Sequence, residues 1–182
     1  DDGYFTWSAN DQVWIHTTGG GVAGTLSAGA GTANATFTHG SYVGDMTGKA
    51  VYPYDYYHSI SGNNLNVRLA SSYYLGSVRE NTNAVMYGVN QDGVLKFNHM
   101  AGVMRFHLKN VPAGATQFKL TLDKKINGDF TADLSATHPS ISTEETLDPA
   151  EKTITLNFDA LTQTSDLRLC FPLPVGTYRS EE

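Results

Sequence analysis

One cysteine, Cys170, is all this chain carries, which excludes an internal disulfide and gives no zinc framework. Charge is scarce at 16%, and 12 Lys and Arg set against 18 Asp and Glu leave a net charge of −6. Without a basic stripe the chain is a poor match for nucleic acid, whose phosphates demand clustered Lys and Arg. Anionic membrane surfaces are disfavoured for the same reason. No stretch approaches the roughly 18 consecutive apolar residues of a membrane-spanning helix. The opening Asp1-Asp-Gly-Tyr-Phe-Thr-Trp7 has no initiating Met and neither the basic nor the apolar region of a signal peptide. A processed or trimmed chain is therefore expected.

What is present is the material of strands and turns. Ten Tyr, eight Phe and eighteen Gly in 182 residues, with many Thr, fit a turn-rich all-β protein. A chain of this size buries roughly 70% of the surface its unfolded form exposes, so it needs no metal or cross-link for stability. Met104, Phe106 and Leu108 alternate with Arg105, His107 and Lys109, and Phe118, Leu120 and Leu122 alternate with Lys119, Thr121 and Asp123. A period of two sends each apolar set to one face of a sheet. Thr153 to Phe158 alternates over six residues, and Leu167, Leu169, Phe171, Leu173 and Val175 share a face opposite Arg168 and Cys170.

Shorter strands are expected at 4–7, 13–17, 35–37, 49–54, 65–69, 84–87 and 94–97. Gly19 to Gly31 reads as a flexible loop or weak edge strand, and His138 to Ala150 as a long surface loop. Asn90-Gln-Asp-Gly93 predicts a hairpin, because Asp-Gly supplies the positive φ of a tight turn. No segment sustains a helical period beyond two turns. About ten to twelve strands at this spacing predict an all-β, two-sheet antiparallel β-sandwich of transthyretin-like or Greek-key type with long loops, forming one domain over 1–182.

Chemistry-bearing patterns are thin. Gly19-Gly-Gly-Val-Ala-Gly24 matches G-x-G-x-x-G, but the Thr-Leu-Ser-Ala-Gly that follows starts no helix for a pyrophosphate to meet. Asp123 to Asp129 superficially resembles a calcium loop, yet Lys125 stands at its third position and Leu134 where a bidentate Glu belongs; a hairpin turn is expected instead. The histidines, at 16, 39, 58, 99, 107 and 138, never fall at i, i+2 or i, i+4, so no metal set emerges. Cys170 sits on a strand face, where cysteine is usually an inert packing group, and no Gly-x-Ser-x-Gly elbow occurs. The expectation is no enzyme, no cofactor and no metal. One alternative site is aromatic: Tyr54, Tyr56, Tyr57, Tyr73 and Tyr74 as a platform on which a glycan could stack, with core packing as the competing role for the same residues.

Taken in order, several segments resemble the fimbrillin-like family of surface proteins from Bacteroides-type bacteria, the subunits of type V pili. These are Phe5-Thr-Trp7 with Asn10-Asp-Gln-Val-Trp-Ile15, Ala50-Val-Tyr-Pro-Tyr54, Ala84-Val-Met-Tyr-Gly88, Leu95 to Phe106, Leu120 to Leu122 with the hairpin at Ile126 to Thr131, and Phe171 to Tyr178. The segment Leu65 to Leu75 lacks the Gln the pattern would place after that strand. The resemblance implies the N-terminal half of a two-domain subunit, exported as a lipoprotein to the outer membrane and joined to other pilus subunits by strand addition, with host or bacterial surface ligands as further partners. The faces of Thr153 to Phe158 and Leu167 to Val175 are the expected groove walls.

Overall fold

Alternation decides most of the elements. The computed structural model describes residues 5–41, 44–75 and 85–179, and these hold fourteen strands. They are β1 (Gln12–Thr17), β2 (Gly20–Ala28), β3 (Thr36–His39), β4 (Met46–Tyr52), β5 (Tyr57–Ser61), β6 (Asn64–Leu69) and β7 (Ser72–Leu75), then β8 (Met86–Gln91), β9 (Val94–His99), β10 (Gly102–Val111), β11 (Gln117–Thr121), β12 (Gly128–Asp133), β13 (Thr153–Phe158) and β14 (Ser165–Leu173). Among the described residues helix is confined to two short 3-10 turns at Tyr54–Tyr56 and Pro149–Lys152. The architecture is all-β and sandwich-like, as the apolar pattern implies.

Hydrogen bonding divides the strands among four sheets: β3-β2-β1-β4-β8-β9, β10-β14, β11-β13-β7 and β12-β6-β5. Among the described strands every pairing is antiparallel except β13 with β7. The main core gathers the inward rows of the three smaller sheets, among them Leu65, Val67, Phe130, Ile154, Leu156 and Phe171. Fully burying one such side chain stabilises by about 1.5–3 kcal/mol. A second, smaller core of Trp7, Val13, Ile15, Tyr52 and Met86 lies on the other face of the six-stranded sheet. That sheet is therefore covered on both sides at β1. Trp14 enters the main core while its neighbours Val13 and Ile15 enter the second, which explains why Val-Trp-Ile breaks the period of two.

The predicted strand at 4–7 is not one where described: Trp7 lies outside any strand and plugs the second core. Its ring is edge-on to Phe5, Phe37, Tyr52 and Phe97 at 4.9–5.4 Å, and its backbone bonds Thr32 and Gly31. Residue 4, and the Ala84 end of the strand expected at 84–87, lie outside the described residues.

Gly19 to Gly31 is corrected more thoroughly. β2 occupies nine residues of it and is an interior strand, bonded to β1 on one side and β3 on the other. Two of its glycines serve packing. A Cβ at Gly21 would stand 2.2 Å from the Trp14 ring, and one at Gly24 only 2.9 Å from Ile15 Cδ1. Glycine in a strand marks such close approach.

Ile126 to Thr131, expected as a hairpin, does not form one. β11 pairs with β13 and β12 with β6, so the chain crosses between sheets there. The buried Asn127 directs that crossing: its amide donates to the Ala150 carbonyl at 2.8 Å and the Thr153 carbonyl at 2.9 Å. The long loop after His138 does run over the surface, but Ile141 is drawn fully into the core and Ser142 bridges to Val175. The Asn90 to Gly93 hairpin forms as predicted, with Asp92 at φ 54° and Gly93 at φ 85° between β8 and β9.

Candidate interaction edge

β10 is the longest strand, ten residues, and it bonds one neighbour, β14. The register runs from Gly102 opposite Leu173 to Leu108 opposite Leu167, then slips before Val111 meets Ser165. Asn110 takes up the slip in a left-handed conformation (φ 56°), and its backbone N–H donates to Asp166 Oδ1 at 3.0 Å. Among the described residues the second edge of β10 pairs with no strand. A row of unpaired N–H and C=O groups is a template for another chain.

The burial along this edge is uneven in an informative way. On β14, Phe171, Leu169 and Leu167 are 0%, 2% and 5% exposed. Their direct partners on β10, Met104, Phe106 and Leu108, point the same way yet are only half-buried. The difference lies on the unpaired side. β11 is also an edge strand and repeats the gradient, with Phe118 half-buried beside the buried Leu156 of β13. The Phe106 and Phe118 rings approach to 5.5 Å, so the two incompletely covered rows meet. An edge need not be open in this sense: on β12, Phe130 and Ala132 are fully covered.

The opposite face of β10 carries Arg105, His107 and Lys109, all exposed. Across the ladder, Arg168 faces His107 and Cys170 faces Arg105. His107 Nε2 lies 3.4 Å from Asp166 Oδ2. Of the walls expected from the sequence, Thr153 to Phe158 and Leu167 to Val175, the residues Ile154, Leu156, Leu167, Leu169 and Phe171 are buried, whereas Val175 lies beyond the end of β14 and is 50% exposed. Nothing in the sequence marks the half-open rows on β10 and β11 as a site. No sequence signal separates them from the covered rows, because openness depends on which strand lies alongside.

The five tyrosines do not form a common exposed platform. Tyr56 and Tyr73 are 8% exposed and belong to the main core, and Tyr57 is stacked on Trp14 with centroids 3.4 Å apart. Burial, and then the facing Tyr73 hydroxyl, push the Tyr56 phenol far above its ordinary range. The Tyr73 hydroxyl is buried and makes no hydrogen bond of ordinary geometry. Exposed surface remains at Tyr54 (36%) and Tyr74 (61%), and the Tyr74 hydroxyl donates to Asp159. The physical reason is the 3-10 turn and the parallel β13–β7 pairing, which turn alternate rings inward.

Several of the remaining sequence candidates take part in local polar contacts. Asp123 accepts from the Arg179 backbone N–H at 2.9 Å, and Lys125 bonds Glu144 at 2.8 Å and lies 3.5 Å from Glu151. Burial presses the Lys125 ammonium down, but the two carboxylates outweigh it and hold the group above its ordinary range. His16 Nδ1 meets Thr47 Oγ1 at 2.8 Å, and burial followed by the Lys49 charge lowers its pKa. Among the described residues no three His, Cys, Asp or Glu side chains are placed to hold a metal ion, and no helix is long and apolar enough to cross a membrane. Comparison with protein families, curated proteins and solved structures finds no match to this chain.

Proposed function

We propose that this protein is a structural or adhesive subunit of a cell-surface fimbria, exported as a lipoprotein and assembled by strand addition. The observation that supports this reading is the β10 edge. Among the described residues the ten-residue β10 has no second strand neighbour, and the inward row Met104, Phe106, Leu108 is half-covered where its β14 partners are sealed. An extended segment of another subunit laid along β10 gains main-chain hydrogen bonds, while its alternate side chains cover that row and the adjacent Phe118. The function asks for binding and no turnover. The order of segments that resembles fimbrillin-like subunits points to the same role.

The test is assembly. Full-length subunit processed at the cell surface should form polymers, and cells lacking it should show altered pili. Leu108→Asp, which places a charge in the half-open row, should stop polymerisation while the far-ultraviolet circular dichroism stays native. A subunit that remains monomeric after processing, in cells whose pili are unchanged by its deletion, would remove the proposal.

A further inference from the structure

We infer that the strand accepted at the β10 edge alternates apolar and acidic residues. This rests on the strand-addition reading and specifies the partner's chemistry. A strand added to β10 must match two rows at once, because side chains alternate across a sheet. Its inward row meets Met104, Phe106 and Leu108, which calls for apolar residues. Its outward row stands beside Arg105, His107 and Lys109, which are exposed and spaced two apart.

β10 contains no acidic residue, and β14 contains one, Asp166. That carboxylate already accepts from the Asn110 backbone N–H and lies beside His107 at the slipped end of the ladder. Arg168 adds a further basic group to the same outward face. In a chain of net charge −6, this ribbon face carries the opposite sign. Opposite charges across a strand pair stabilise it and like charges destabilise it. A lysine-bearing strand is thereby disfavoured, and an acidic one is selected in a single register, since a one-residue slip would send its acids into the apolar row.

Three labelled peptides of alternating pattern, Val/Glu, Val/Thr and Val/Lys, titrated by fluorescence anisotropy against the wild-type protein and the Arg105→Glu/Lys109→Glu variant, test this. Wild type should bind Val/Glu roughly tenfold tighter than Val/Thr, as two or three cross-strand pairs would give, and the gap should close at high salt. The double variant should reverse the order and favour Val/Lys. Arg105→Gln/Lys109→Gln, which introduces no new charge, should lose the preference while keeping Val/Thr affinity. Equal binding of Val/Glu and Val/Thr by wild type at low salt would overturn the inference and leave strand addition standing. Failure of all three peptides to bind would remove strand addition itself, and this inference with it.

Discussion

At the scale of single residues, polar groups here serve architecture. Asp11 shows how: its carboxylate accepts from the Ser8 backbone N–H at 2.6 Å and from the Tyr52 hydroxyl at 3.0 Å, tying the Trp7 turn to β4. Asp11→Ala leaves both donors without that partner and is expected to cost about 1–3 kcal/mol, read as a lowered urea midpoint. Tyr52→Phe, which removes one of the two bonds, should cost less. The buried phenols set a pH limit. Burial first, then the Asp11 charge and hydrogen bond, raise the Tyr52 pKa well above its ordinary 10.0, and burial does the same for Tyr56. The folded state holds these protons and the unfolded state gives them up. Their contribution is thus complete below pH 10 and declines as pH rises beyond it. Stability should fall on that alkaline limb, with part of the tyrosinate absorbance appearing only on unfolding. Tyr54 and Tyr74 resemble Tyr56 and Tyr73 in sequence context. Which of them face solvent was illegible, because a turn and a parallel pairing decide it.

Among the elements, alternation was a sound guide wherever a strand buries one face. β6, β13 and β14 lie where the pattern put them, and the β8–β9 hairpin where Asp92-Gly93 put it. It failed where the explanation lies on another strand. The glycines of β2 look like a loop until the Trp14 ring is laid across Gly21. Pairing was equally hidden: β10 finds β14 and β12 finds β6 across long stretches of chain, and a local period carries no record of the partner. Gly21→Val therefore tests the corrected reading of β2. In a loop the change would be near neutral. In an interior strand beneath Trp14 it should cost about 1–3 kcal/mol through overpacking, visible as a lower melting temperature and a changed near-ultraviolet tryptophan signal.

For the molecule as a whole, the inward rows of β6, β12, β13 and β14 are buried, while those of β10 and of β11 at Phe118 are incompletely covered. The all-β class and the core rows were legible; the open row was not, since Met104 and Leu169 read alike until their neighbours are known. Hydrogen exchange of the backbone amides in Gly102–Val111, compared between monomer and assembled polymer, is the most direct measurement. The account predicts that β10 amides on the unpaired side exchange rapidly in the monomer and become strongly protected in the polymer. Unchanged exchange along β10, with new protection at β9 or β12 instead, would contradict it.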